Sequence, residues 1–515
     1  MFRTSLTLAM IIGGISGSTL SAHTLASQPP ARSITIYSSA QPGAVPAAMY
    51  RPVRMGGYNP YSQQPVPGYA VVREDRKVEI AQGRGELRLT DVAALIDPTT
   101  VSFQSLTDPD GTRVIDQNFQ FDLVSNEKLL ERYIDQPISA IVQRGDGTSV
   151  VKGTLLSAQG GVLILRDERG GINTLNGYVG LDLPDLPKGL ITRPTLVWNT
   201  ASQRGGEQTA RIGYQTEGIT WWADYNLVFT EGQNANKGTL DVGAWVSILN
   251  QSGAGYEDTK LKLVAGDVQR ASNRKAEYGF AQSRGMVADM AEAPSFAEKS
   301  FFEYHLYTLS EPTTIPENST KQIELFPVAR GVPCDKILVY AGQEDFWWGG
   351  EPLTDQGYGV QSKSSVDVYL KFKNDEKQGL GMPLPAGRVR VSKLDAEDGG
   401  LEFIGEDVIK HTPREEKVLI RLGQAFDVVG ERKQVDYRYD SGRKRIDETI
   451  EIEVRNRKKE AVQVVVQERM YRWTNWEFVG TPPAHEKLDA RTIHFPVTIE
   501  ANGTATVKYT VRYTW

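Results

Sequence analysis

The run from Leu240 to Ile248 constrains the fold more than any other stretch of the chain. Leu240, Val242, Ala244, Val246 and Ile248 share one face, while Asp241, Gly243, Trp245 and Ser247 point the other way. That period of two belongs to a half-buried β-strand, since a helical period would scatter these apolar residues around the axis. The run lies within a longer block, Ala210 to Val268, which reads as four consecutive strands separated by turn residues. Trp221, Trp222 and Trp245 fall in this block. Adjacent strand residues face opposite ways, so at most one of Trp221 and Trp222 enters the main core.

Alternation of this kind continues to the C-terminus. Ile450, Ile452 and Val454 alternate with Glu451 and Glu453, and Val462, Val464 and Val466 mark the next strand. Asn502-Gly503 predicts a tight hairpin between RTIHFPVTIE and ATVKYTVRYTW, because an Asn-Gly pair supplies the positive φ angles of a type I′ turn. With 49 Gly and 26 Pro among 515 residues, the chain has the turn formers that an all-β fold requires. One short helix is expected near residues 126–133, capped by Ser125, with Leu129, Leu130 and Tyr133 on one face.

The domain plan begins with a signal peptide at residues 1–26. Arg3 precedes an apolar run from Leu6 to Ile15, and small residues follow. That run is shorter than the ~20 apolar residues a spanning helix needs, and no later stretch qualifies as a transmembrane helix. Residues 27–68, rich in Pro, Gly and Tyr, read as a disordered spacer. An N-terminal β region follows at 69–189, where short strands and glycine turns between Ile138 and Leu183 suggest a small SH3-like β-barrel. Residues 190–370 form a central β-sandwich with a mobile, protease-sensitive insertion at 271–299. Residues 371–515 form a C-terminal β-sandwich-like unit.

Several function classes find no support. The net charge of −6 is spread without a basic stripe, so no nucleic acid partner is expected. Cys334 is the only cysteine, which rules out an intramolecular disulfide and reads as a buried structural thiol. Export without disulfides points to the periplasm or cell envelope of a bacterium. The five histidines stand apart in the sequence, and no H-E-x-x-H pair, EF-hand loop, G-x-S-x-G elbow or phosphate loop occurs. No catalytic residue, metal ligand or cofactor site is assigned. Glu257-Asp258 and Glu406-Asp407 are the carboxylate pairs to inspect for glycan hydrolysis, with turn capping as their simpler role.

Aromatic residues supply the one positive hint. Phe346, Trp347 and Trp348 sit in a loop-like stretch, QEDFWWGGEP, where an exposed Trp can stack on a sugar or pack on a protein partner. A lid over one end of a sandwich is the structural alternative, and the same question attaches to Trp473 and Trp476. The closing alternation Tyr509, Val511, Tyr513, Trp515 raises an outer-membrane β protein as a minor alternative. Charged strands such as RVRVSKLD argue against it.

The chain also resembles a known family. YQTEGITWWADYNLVF (Tyr214–Phe229), LNQSGAGYEDTKLKLVAGDV (Leu249–Val268) and GMPLPAGRVRV (Gly381–Val391) are similar to blocks of the bacterial domain of unknown function family 4139. FIGEDVIKHTP (Phe403–Pro413), LGQAFDVVGERK (Leu422–Lys433) and IDETIEIEVRNRKKEAVQVVVQE (Ile446–Glu468) extend the resemblance in the same order. That family includes the mucoidy-inhibitor-like proteins, whose two-part members carry a coiled coil that has no heptad counterpart here. The resemblance implies an exported β-rich protein and transfers no catalytic residue. The expectation is an exported envelope protein acting as a non-enzymatic binding or scaffolding module for protein or glycan. Its alternative is a glycan-active hydrolase using a carboxylate pair.

Overall fold

A computed structural model describes residues 32–37, 45–50, 66–121, 124–145, 147–187, 190–266, 268, 296–343, 350–395 and 397–515. These are mostly β and belong to several sheets, none of them closed. No described helix is long and apolar enough to cross a membrane.

Four strands occupy the block read from sequence: Gly206–Glu217, Ile219–Glu231, Lys237–Asn250 and Tyr256–Ala265. They do not form a single meander. The outer two lie in an eight-stranded sheet and the inner two in a thirteen-stranded sheet. The chain switches sheets at Gly218, where φ is 77° and a Cβ would sit 2.7 Å from the Gln251 carbonyl oxygen. Only glycine accepts both conditions. The block thus lines the first core from two sides, with Tyr214, Leu261 and Leu263 meeting Trp221, Tyr225 and Val246. Leu240 to Ile248 alternates as expected, and Trp245 remains 39% exposed on the outer face. Trp221 enters the core and donates to the Val264 carbonyl at 3.3 Å. Trp222 is half-buried and donates to Asp224 at 2.7 Å.

The expected spacer at 27–68 requires correction. Arg32–Tyr37 is a strand between Tyr69–Ile80 and Tyr256–Ala265, parallel to the latter, and Ile34 and Ile36 are fully buried. Ser33, Thr35 and Tyr37 alternate with those isoleucines, so a short period-two signal is present in a Pro-rich context. Val45 and Val66 pack with Leu249, with Trp222 and Tyr50 beside them. The rest of that stretch lies outside the described residues, as do residues 271–295 of the expected insertion. Residues 296–299 belong to the strand Phe296–Phe301.

The smaller sheets sit toward the N-terminal half. Gly83–Leu89, Thr195–Ser202 and Thr112–Gln120 form a three-stranded sheet that adds Trp198 to the first core. Residues 137–182 form a five-stranded open sheet. The helix forms at Asn126–Arg132, where the Ser125 side chain accepts from the Lys128 amide, as its sequence signal predicts. Leu130 and Tyr133 then pack against Ile138, Leu155 and Leu163.

Three long strands carry the first core into the second. Ser319–Tyr340 gives Leu325 and Phe326 to the first core but Leu338 and Tyr340 to the second. Ser365–Lys373 and Lys417–Asp440 divide in the same way, with Leu370 and Ile420 in one core and Val366 and Val428 in the other. The second core is closed by Arg445–Asn456 and Thr504–Thr514 on one side and by Val462–Arg469 and Thr492–Ile499 on the other.

The predicted terminal hairpin is also corrected. Thr492–Ile499 pairs with Val462–Arg469, whereas Thr504–Thr514 pairs with Arg445–Asn456. Asn502-Gly503 therefore belongs to an arch between layers, with Asn502 alone of the pair at positive φ (54°) and the Gly503 amide bonded to the Glu500 carbonyl. A type I′ turn needs positive φ at both central residues, and the arch does not supply it.

Buried asparagines tie the arches. Asn456 donates to the carbonyls of Glu460, Ile499 and Glu500 and accepts from the Lys458 amide. Asn250 donates to Ala254, Ile315 and Pro316 and accepts from the Ser252 amide. Each ends a strand whose successor crosses to the opposite layer, and each fastens the outgoing arch to the returning one. The two sandwiches share one local plan.

Candidate functional site

Inward-facing rows of the second sandwich end in charge. Ile446, Ile450, Ile452 and Val454 face the core, and the same period places Glu448 inward. Val462, Val464 and Val466 lead likewise to Glu468, and Val428 leads through Gly430 to Arg432. Arg472 follows just beyond the strand Val462–Arg469. These four charged side chains are fully buried. Such burial is costly unless each charge is paired and hydrogen-bonded.

They pair two by two. Arg432 Nε lies 3.1 Å from both Glu468 oxygens, and Arg472 Nη2 lies 3.0 Å from Glu448 Oε1. Tyr509 donates to Glu468, while Tyr471 and Gln434 donate to Glu448 at 2.8 and 2.7 Å. The Tyr471 ring lies near both guanidinium groups, 5.9 Å from Arg432 and 5.0 Å from Arg472. Burial pushes the Glu468 carboxyl up against the pull of Arg432, and burial raises the Tyr509 hydroxyl well above its ordinary value. Arg432 Nη2, Arg472 Nε and Glu448 Oε2 are buried with no hydrogen-bond partner among the described residues.

The remaining donors of this cluster hold one segment of chain. Residues 350–364 contain no strand and no buried side chain. Arg472 donates to the carbonyls of Leu353, Asp355, Gln356 and Tyr358. Arg432 takes Gly359, Tyr437 takes Thr354, and Tyr340 takes Lys363. Gly359 has φ 73°, and a Cβ there would lie 2.5 Å from the Tyr471 ring. The segment is a strap, fastened by its backbone chiefly to side chains of the sandwich, with backbone bonds to Gly342, Gly430 and Arg472 as well. An open depression of about 480 Å³ adjoins it, lined by Gln356, Gly357, Val360, Arg432, Lys433 and Gln434.

Phe346, Trp347 and Trp348 lie outside the described residues, but both ends of their loop are placed. On one side Gln343 exchanges hydrogen bonds with the Arg469 backbone at 2.9 and 3.0 Å. On the other, the Leu353 amide donates to the Arg472 carbonyl at 3.0 Å. The other sequence candidates do not converge on this site. Asp407 accepts from the amides of Val408 and Arg421, bridging the seam between Leu401–Ile409 and Lys417–Asp440. Glu406 lies 3.6 Å from Arg390. Asp258 takes positive φ in the strand Tyr256–Ala265. Trp473 and Trp476 are half-buried against the second core, and Trp476 donates to the Ala490 carbonyl.

Cys334 is buried, and burial pushes its thiol up to about 12. Among the described residues no group of three or more His, Cys, Asp or Glu side chains is placed to hold a metal ion. A second cavity, of about 360 Å³, lies between Ile96–Ser105 and Thr112–Gln120 over Phe103 and Trp198. Among the described residues, neither cavity is lined by a carboxylate.

Hydrophobic periodicity misses the buried charges when each row is followed only as far as its apolar members. Extending the period by one step places Glu448 and Glu468 inside. No family model, curated protein or solved structure matches the chain.

Proposed function

We propose that this is an exported bacterial envelope protein of the domain of unknown function family 4139 that works by binding, with no catalytic step. Its contact loop carries Phe346, Trp347 and Trp348. The observation that carries this reading is the mount: both described ends of the loop are hydrogen-bonded to the backbone beside the buried charge cluster, Gln343 at Arg469 and Leu353 at Arg472. The mount fixes the two described ends from which the loop springs. Exposed apolar residues elsewhere fit the same role: Phe426 is 95% exposed where Lys417–Asp440 bulges, and Phe403 is 61% exposed. We read the five-stranded sheet within 137–182 as an SH3-like unit left open at its edges.

Cross-linking with mass spectrometry in intact cells tests this. The expected result is an envelope protein or glycan strand captured by the wild type and lost in Trp347→Ala/Trp348→Ala. Identical cross-links in both, or an unprocessed cytoplasmic protein, would overturn the proposal.

A further inference from the structure

The strap has the contacts of a bound ligand. None of its residues from 350 to 364 is buried, and none belongs to the second core. Most of its hold consists of main-chain carbonyls taken by Arg472, Arg432, Tyr437, Tyr471 and Tyr340, with backbone bonds at its two ends, Leu353 to Arg472 and Lys363 to Gly342. Lifting it would uncover no apolar core residue of its own, and water would take over the released carbonyls and guanidinium groups. The closed state is also incompletely satisfied, since Arg432 Nη2 and Arg472 Nε have no partner among the described residues.

We propose that the face under the strap is a docking seat for an extended polypeptide, and that residues 350–363 occupy it in cis as a removable, autoinhibitory segment. The seat reads mainly backbone, with the Ser362 hydroxyl on the Arg432 amide and the Tyr358 ring stacked on Tyr471 as its side-chain contacts. Arg472 alone meets the carbonyls of Leu353, Asp355, Gln356 and Tyr358, a pattern that any polypeptide of suitable curvature can present. Only Gly359 is demanded by shape, where the chain passes close to Tyr471. The seat's charge balances internally, with Arg432 on Glu468 and Arg472 on Glu448, so it favours main-chain dipoles over a charged ligand. This deepens the binding reading above by naming a polypeptide as the partner class, and it rests on that reading.

The test uses the full chain and a labelled synthetic peptide of residues 350–363. Gly359→Ala should dislodge the strap, because the added Cβ meets the Tyr471 ring; Tyr437→Phe, which loses only the Thr354 bond, serves as the milder variant. Amides of 353–363 should exchange at least tenfold faster in the variants, while those of 445–456 and 504–514 stay protected. The peptide should bind the variants at least tenfold more tightly than the wild type, and adding Arg472→Lys should abolish that gain. If strap and strand amides lose protection together, the strap is an integral part of the fold and the inference fails. It fails equally if the strap opens and the peptide still does not bind. Because the probe is the chain's own segment, failure of an envelope partner to cross-link leaves this result untouched.

Discussion

Arg472 and Glu448 meet at 3.0 Å with neither side chain exposed to solvent. Arg432 and Glu468 repeat the arrangement nearby. Pairs of this kind contribute little net stability compared with apolar replacements, yet breaking one by removing a single partner is expensive.

Arg432→Met should therefore destabilise the protein by about 3–5 kcal/mol, since it strands the Glu468 carboxylate in the core. Arg432→Met combined with Glu468→Met should cost much less than the two single changes added together. Urea unfolding of the three variants measures the coupling. Strict additivity would show that the two groups do not depend on one another.

The arches make a paired prediction. Asn456→Ala leaves the carbonyls of Glu460, Ile499 and Glu500 without that donor, and Asn250→Ala does the same to Ala254, Ile315 and Pro316. Each change should cost at least about 2 kcal/mol, because buried polar groups lose their partners. The two losses should be similar in thermal unfolding. A small effect at one site and a large effect at the other would contradict a shared plan.

Acid should weaken the second sandwich through Asp447. The Arg512 hydrogen bond, with Arg512 and Arg445 charge beside it, holds the Asp447 carboxyl below its ordinary 3.8. A carboxyl depressed in the folded state adds stability that is present above its unfolded value. That stability is lost as pH falls through the folded one. Asp447→Asn should flatten the stability profile below about pH 4 and change its shape little at neutral pH. An unaltered acid limb would remove Asp447 from the account.

Cys334 should be silent in the native protein. Its thiol is buried and pushed up to about 12 by that burial, so little thiolate exists at neutral pH. Maleimide should label it only after denaturation. Rapid labelling of the folded protein would show that the shared strand Ser319–Tyr340 opens locally at this point.

Period two makes most of the strands legible in the sequence, and local cap chemistry locates the helix at Asn126–Arg132. Pairing across distance stays hidden. Asn502-Gly503 carries a hairpin signal, yet the strands on either side bond to other partners, because the core demands one in each layer. Arg32–Tyr37 is obscured by the prolines and glycines around it, although Ile34 and Ile36 fill the middle of a sheet. The strap escapes for another reason. Its residues carry no periodic pattern, and the side chains that hold it come from distant strands.

The shared plan of the two sandwiches carries a folding hazard. Lys237–Asn250 waits for its return strand Ser319–Tyr340, and Arg445–Asn456 waits for Thr504–Thr514, with matching arches at both places. A growing chain with two sockets of like local plan can seat the wrong plug. The buried charges distinguish them: Thr504–Thr514 brings the Tyr509 hydroxyl to Glu468, a bond that a misplaced strand would leave unmade. The ion pairs would then serve as address labels more than as glue. Replacing the Arg432–Glu468 pair with apolar residues should lower the fraction of chains that refold to a single species more than it lowers the equilibrium stability.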